Sequence, residues 1–183
     1  MPRTQWGVRG IFFLPARRVN YSSMAKKFWL MKTEPETFSF DDLLRAPKQT
    51  THWEGVRNYQ ARNLMRDEFK PGDRVLVYHS RIDEPAVFGL AEVVKAGYPD
   101  LTALDPKSDY FDEKAKAKGE SPWVMVDVRA THRLTSPVTR EMLKGDPAFR
   151  NMMVLKKGAR LSVQPVSDAE FKRVEELGKA IPV

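Results

Sequence analysis

The chain of 183 residues contains no cysteine, which excludes disulfide scaffolds, cysteine-containing zinc sites and thiol nucleophiles. Its ten glycines are scattered and lack the spacing of phosphate-binding loops, so nucleoside triphosphate hydrolysis is not expected. No run approaches the roughly 20 apolar residues that cross a bilayer, so we expect no membrane partner. Because His52, His79 and His132 lie in separate segments, we expect neither a metal site nor a cofactor.

Acidic residues are also missing from the first part of the chain. Six of the 31 basic residues lie within residues 1–27, where no acid occurs, while the remaining chain carries 25 bases against 24 acids. The net charge of +7 therefore belongs almost entirely to the N-terminal stretch. A basic surface on the folded body has to be argued from local residues.

The N-terminal stretch itself shows no clear hydrophobic period. Its apolar piece GIFFLP is too short for the hydrophobic region of a secretory signal, and its arginine-rich composition weakly resembles a transit peptide. We expect residues 1–23 to be a disordered or non-native extension. Residues 24–183 are then a single domain, opening at Met24.

Hydrophobic patterns and capping residues predict the elements of this domain. Apolar or alternating runs predict strands at residues 28–32, 74–79, 87–95, 123–134 and 160–166. Capping signals predict helices after Ser39, from Asn58 to about Phe69, from Ser136-Pro137 to Lys144, and after Ser167. Gly89 is expected to mark a bulge or a close approach, and residues 97–122 to form a long loop. This order indicates an α+β fold built on a curled sheet or small barrel.

Recognition-type side chains are concentrated in the segment TTHWEGVRNYQARNLMR, residues 50–66. Flat aromatics such as Trp53 stack bases, and amides read base edges. Arg57, Arg62 and Arg66 are the candidate phosphate contacts. The alternative is an amphipathic helix whose arginines are simply solvated.

Two further positions carry candidate chemistry. Lys32 closes an otherwise apolar strand, so its charge either reaches solvent or faces a cavity. His79 and Ser80 are adjacent in a predicted strand, where neighbouring side chains point to opposite faces. A nucleophile and base pair is therefore disfavoured there.

Several motifs together resemble one known family. The resemblance covers roughly Phe28 to Phe171, and its motifs are, in order, FWLMKTEP, WEGVRNYQARN, VYHS, FGLAEVV, YPD, WVMVDV and LSVQP. This series resembles the EVE domain family, which implies a PUA-like fold, a small curled β-barrel flanked by helices, related to YTH and ASCH domains. Such domains are regarded as readers of modified bases in DNA or RNA, without established catalytic activity.

The resemblance also implies where the base would bind. The pocket residues that it implies come from the KTEP strand end, the WEGVRN segment, the VYHS strand and two further aromatics: Lys32, Thr33, Glu34, Trp53, Val56, Arg57, Asn58, Tyr78, His79, Ser80, Tyr110 and Trp123. The expected function is non-catalytic binding of a methylated or hydroxymethylated base in an aromatic pocket. The resemblance implies a cytoplasmic location in a bacterium and a nuclear one in a eukaryote.

Two other function classes remain open at the level of sequence. The first is an enzyme acting on a nucleotide or modified base, with Lys32, Glu34 or His79 as acid or base. The second is a protein-interaction module. Binding of modified and unmodified oligonucleotides, together with a search for altered nucleosides, distinguishes the three.

Overall fold

The computed structural model describes residues 25–183, so the predicted extension at residues 1–23 lies outside the described residues. The strands are β1 (Phe28–Thr33), β2 (Thr50–Trp53), β3 (Arg74–His79), β4 (Ala86–Pro99), β5 (Val124–Thr139), β6 (Val163–Val166) and β7 (Ala180–Pro182). The helices are α1 (Phe40–Arg45), α2 (Tyr59–Asp67), α3 (Glu113–Lys118), α4 (Arg140–Gly145) and α5 (Asp168–Gly178).

Side-chain caps fix where the helices begin, as the sequence predicts. The hydroxyl groups of Ser39 and Ser167 accept a hydrogen bond from the N–H of the third residue of α1 and of α5, respectively. The carboxylates of those third residues, Asp42 and Glu170, accept in turn from the backbone N–H of the capping serine. Asn58 caps α2 by accepting from the N–H groups of its second and third residues. These reciprocal bonds satisfy donors that a helix terminus otherwise leaves unpaired.

All seven strands belong to one mixed sheet. Its order is β2-β5-β4-β3-β1-β6, with β7 paired to β5 beside that path. β1 runs parallel to β3 and antiparallel to β6, while every other pairing is antiparallel. Among the described residues, β2 and β6 are the edge strands of this path, each paired on one side only. The sheet is therefore open, and the expected curled α+β architecture is confirmed.

Helices cover both faces of the sheet, which explains the almost continuous apolar runs of its central strands. Trp29 and Met31 of β1 pack on one face with residues of α1 and α2. Leu30, between them, packs on the other face with Phe171 and Val174 of α5. Alternate side chains of this strand therefore pack into two different cores, and neither face of the strand is turned to solvent.

Two expectations about the second half of the chain are corrected. Ser136 and Pro137 open no helix but lie in β5, between the Gly89–Arg133 and Val87–Val138 pairs, where the register with β4 is irregular. Proline is tolerated there because it need not donate to the ladder. The helix starts only at Arg140, capped by Thr139.

The expected loop at residues 97–122 is largely ordered structure. β4 continues through Gly97 to Pro99, and the chain then forms a 3-10 turn at Leu101–Leu104 and the helix α3. A small separate core holds this region together through Ala103, Ala115 and Trp123. The short strands β2 and β7 were not predicted, because neither stands out from its polar neighbours in the sequence.

Gly89 is confirmed as both a bulge position and a close approach. The register between β4 and its neighbour β5 shifts beside it, and a Cβ atom built on Gly89 would overlap the ring of Phe40. α1 can therefore lie directly on the backbone of β4 at this point.

We expect Gly89→Ala to lower the free energy of unfolding by about 1 to 3 kcal/mol, because the added methyl overpacks the contact with Phe40. Gly145→Ala is the matched control, since a Cβ there meets nothing within 4 Å; it should change stability by less than about 1 kcal/mol. Urea unfolding of both variants measures the difference. Equal effects of the two substitutions would contradict the close approach.

Candidate functional site

A cavity of about 1240 Å³ opens between the end of β1, the end of β2 and the loop before α3. Its walls are formed by residues from five separate parts of the chain: Lys32, Thr33, Glu34, Thr37, Phe38, Thr51, His52, Trp53, Glu54, Gly55, Val56, Ser80, Arg81, Asp109, Tyr110, Arg160 and Ser162. This volume exceeds the roughly 300 to 1,000 Å³ of typical small-molecule sites. A nucleoside-sized group therefore fits inside it with space for solvent.

Three aromatic side chains line the cavity: Phe38, Trp53 and Tyr110. The rings of Phe38 and Trp53 meet edge to face, with centroids 6.4 Å apart. Trp53 exposes only 7% of its surface and also packs in the core shared by α1 and α2. It is therefore a core residue and a cavity wall at the same time.

The end of β1 supplies the polar groups expected from the KTEP motif. Lys32 Nζ donates to the carbonyl oxygen of Ala159 at 3.0 Å. Burial lowers the pKa of Lys32 below its usual range, and the positive charge of Arg140 lowers that pKa further. Glu34 forms an exposed ion pair with Arg81, with 3.1 Å between their charged atoms. The cavity thus has cationic and anionic groups at one strand end.

A buried carboxylate organises the wall that contains Tyr110. Asp100 is fully buried and accepts hydrogen bonds from Gly55 N at 3.0 Å, from Arg57 at 2.8 Å and from Thr102. Burial raises the pKa of this carboxyl, but the hydrogen bonds and the Arg57 charge outweigh that effect, and the net pKa lies below the usual value. Asp100 is therefore an anion held inside the protein.

Tyr110 is fixed by the same cluster. The guanidinium of Arg57 donates to the carbonyl oxygen of Tyr110 at 2.5 and 3.1 Å and lies 5.5 Å from the centre of its ring. Gly55 has φ of +75°, and a Cβ atom there would lie 2.5 Å from the ring. Only glycine combines this backbone conformation with such a close ring contact.

Seven of the twelve predicted pocket residues line this cavity: Lys32, Thr33, Glu34, Trp53, Val56, Ser80 and Tyr110. The other five face elsewhere. Arg57 and Trp123 line a smaller neighbouring pocket, of about 390 Å³. Asn58 caps α2, and Tyr78 is buried on the opposite face of the sheet, among the residues that pack with α5.

His79 is the fifth of these residues, and its role is structural. Its imidazole stacks on Phe88, and its Nε2 accepts the N–H of Phe40, the first residue of α1, at 3.0 Å. Burial lowers the pKa of His79, against an opposing effect of Asp41 and Asp42. The neutral ring therefore acts as an additional acceptor at the start of α1.

The three predicted phosphate contacts all have partners within the protein. Arg57 is bound to Asp100, Arg66 forms two hydrogen bonds with Asp67, and Arg62 donates to the carbonyl oxygen of Pro122. Arg62 also lies over the ring of Tyr59, 5.0 Å from its centre. Phosphate binding by these arginines would require such bonds to be exchanged.

Several cavity residues were not predicted. Phe38, the third aromatic wall, lies in the turn after KTEP, where nothing marks it except its aromatic side chain. His52 and Glu54 flank Trp53 and face each other at 3.3 Å. Their alternation around Trp53 would have indicated β2, and with it a shared face for the two side chains. Arg160 also lines the cavity, whereas the sequence predicts it in the last strand; that strand, β6, begins only at Val163.

In residues 25–183, no group of three or more His, Cys, Asp or Glu side chains is arranged to hold a metal ion. Over the same range, no helix combines the length and the apolar character needed to cross a membrane.

Comparison with known proteins identifies relatives across most of the chain. The EVE domain family matches residues 27–177. Chicken thymocyte nuclear protein 1 is 40% identical over 172 residues, which cover 84% of this chain and 69% of that protein. The human protein of the same name is 38% identical over 172 residues, which cover 84% of this chain and 75% of that protein.

Solved structures with the same fold include two informative neighbours. A protein from Leishmania major has a TM-score of 0.78 at 46% identity, covering 85% of this chain and 96% of its own. Human THYN1 in complex with DNA containing 5-methylcytosine has a TM-score of 0.77 at 37% identity, covering 86% of this chain and 100% of its own. The curled sheet with its flanking helices is therefore shared with these proteins.

We expect Arg57→Ala to lower the free energy of unfolding by about 3 to 5 kcal/mol, because it leaves the carboxylate of Asp100 buried without its charged partner. The control is Arg66→Ala, which breaks an exposed ion pair and should cost less than about 1 kcal/mol. Urea unfolding provides the comparison. Small and similar losses for both variants would show that the buried pair contributes little.

A pH dependence should follow from His79. Its folded-state pKa is lowered, so the unfolded chain binds more protons as the pH falls through its own histidine pKa of about 6.5. Stability should therefore decrease from pH 7.5 to pH 5.5, and less so in His79→Gln, whose side chain can still accept from Phe40. Urea unfolding at the two pH values measures this. Identical pH dependence in both proteins would exclude His79 as the titrating group.

Proposed function

This chain belongs to the EVE domain family, and from that premise we propose that it is a non-catalytic module that binds DNA carrying a modified base. The observation that carries the proposal is the cavity walled by Phe38, Trp53 and Tyr110. An extruded base stacks on such rings, and each stacked base gains about 1 to 3 kcal/mol. A human relative of the same fold, in complex with DNA containing 5-methylcytosine, supports this choice of ligand.

Polar groups at the mouth of the cavity would orient the base. A carboxylate accepts from an exocyclic amine such as cytosine N4, and Glu34 is the candidate because it is the carboxylate of the KTEP segment and lines the cavity. The Nζ group of Lys32, which bonds to the carbonyl oxygen of Ala159, is a donor on the same strand end. The methyl group of a methylated cytosine would add apolar contact with the rings, worth about 0.8 kcal/mol per buried carbon.

Binding without catalysis is favoured by the positions of the candidate acids and bases. His79 lies outside the cavity and is hydrogen-bonded to Phe40. Glu34 is paired with Arg81, and Lys32 donates to a backbone carbonyl. General acid–base catalysis requires such groups to converge on one reacting atom. Here His79 does not line the cavity, and Lys32 and Glu34, which both line it, are bound to other partners.

The nucleic acid is proposed to be DNA because that is what the human relative binds in its solved structure. RNA is the second strand to test, because aromatic stacking accepts bases from either polymer. The vertebrate relatives are named as nuclear proteins, which supports the expectation of a nuclear location for a eukaryotic chain.

The test compares oligonucleotides of one sequence that carry cytosine, 5-methylcytosine or 5-hydroxymethylcytosine, as single strands, as duplexes and as RNA. Fluorescence anisotropy should show tighter binding of a modified strand. Tyr110→Ala should reduce that preference, because it removes one stacking wall; the loss corresponds to roughly 5- to 150-fold for about 1 to 3 kcal/mol. Nucleoside mass spectrometry after incubation should show unaltered bases.

Phe111→Ala is the matched control, since Phe111 is the next aromatic along the loop but does not line the large cavity. It should keep the preference for the modified strand. Trp53 is less suitable for this test, because truncating a buried tryptophan costs about 3 to 5 kcal/mol of stability by itself. Equal affinity for all strands would refute modified-base binding, and conversion of the base would favour the enzyme hypothesis.

A further inference from the structure

Unpaired positive charges lie beside the cavity in the turn that precedes β6. The sequence KKGAR at residues 156–160 places Lys156, Lys157 and Arg160 on the surface. None of these three side chains forms an ion pair or hydrogen bond with any of residues 25–183. We propose that this segment, the basic turn, is the surface that binds the phosphodiester backbone, an inference that rests on the proposed function.

The position of the basic turn is fixed relative to the cavity. Arg160 lines the cavity itself, and Lys32 Nζ holds the carbonyl oxygen of Ala159 at 3.0 Å. The backbone N–H of Lys32 also donates to Ser162 at 2.7 Å. Within the turn, Ala159 N donates to the carbonyl oxygen of Lys156 at 3.2 Å. The turn is therefore attached to the strand end that forms the cavity wall.

Covalent geometry explains why phosphate contacts belong at this rim. A base inside the cavity remains joined through one sugar to its two flanking phosphates, which must therefore lie close to the mouth. Cations there gain from neutralising phosphate and releasing its counterions. Arg140, which also forms no ion pair with a described residue, adds positive charge near Lys32 and helps to lower the pKa of Lys32.

Unlike the cations of the basic turn, the arginines of the WEGVRN segment and of α2 already have partners within the protein. Arg57 would have to leave a buried carboxylate, and Arg66 would have to leave Asp67. An arginine already paired with an acid loses that interaction on binding phosphate, so its net gain is smaller. A solvated side chain loses only its mobility and part of its hydration.

The experiment measures the salt dependence of DNA affinity for two variants with the same change in charge. The first is Lys157→Gln/Arg160→Gln in the basic turn, and the second is Arg62→Gln/Arg66→Gln in α2. For the first variant we expect the magnitude of the negative slope of log K against log salt to fall by roughly 1.4 on single strands and 1.8 on duplexes. The second should keep the slope of the parent protein.

Two further measurements complete the test. Lys157→Arg/Arg160→Lys should keep the slope, because it keeps both charges, and thermal unfolding should confirm that every variant is folded. An unchanged slope in the basic-turn variant, or a fall only in the α2 variant, would overturn the inference.

The ratio of affinities for modified and unmodified strands reports separately on the proposed function. If the parent shows no preference but the slope still depends on the basic turn, the modified-base proposal fails while this inference stands. If the parent prefers the modified strand but substitutions in the basic turn leave the slope unchanged, the modified-base proposal stands and this inference fails. Absence of any binding at low salt would overturn both.

Discussion

The ion pair between Arg57 and Asp100 is the interaction on which the site depends. It joins the segment after β2 to the end of β4, with the Asp100 carboxylate fully buried and Arg57 lining the smaller pocket. Because Asp100 is fully buried, its charge is tolerable only while Arg57, Gly55 and Thr102 all donate to it. Through the carbonyl oxygen of Tyr110, the same guanidinium holds one aromatic wall of the cavity. Stability and site geometry are therefore properties of a single cluster.

Local signals in the sequence predicted much of the fold. Ser39, Asn58 and Ser167 mark helix starts because a cap depends on residues only a few positions apart. The strand at residues 74–79, predicted from alternation, has its observed limits, although its apolar residues are buried on both faces rather than on one. The wrong predictions concern residues whose conformation depends on contacts that are distant in the sequence. Pro137 looks like a helix start, and only pairing of β5 with β4 keeps it in a strand.

Residues that line the cavity could be predicted where they belong to a continuous motif. They could not be predicted where the availability of a side chain depends on a partner that is distant in the sequence. The first three residues of KTEP and Trp53 line the cavity, and their role in binding a base stays a prediction. Asp100 could not be recognised as the partner of Arg57 from a separation of 43 residues, so Arg57 looked like a free cation. Arg160 looked unremarkable in a predicted strand, although the structure leaves it solvated at the rim. Burial and pairing, rather than residue type, distinguish a structural arginine from an available one.

The parallel pairing of β1 with β3 also affects how the protein folds. β1 needs β3 on one side and β6, near the other end of the chain, on the opposite side. Such distant contacts carry a large loop-closure entropy and slow the search for the native topology. The wall at Arg160 and Ser162 can form only when β6 has docked. During synthesis, the cavity is therefore completed only after β6 has left the ribosome.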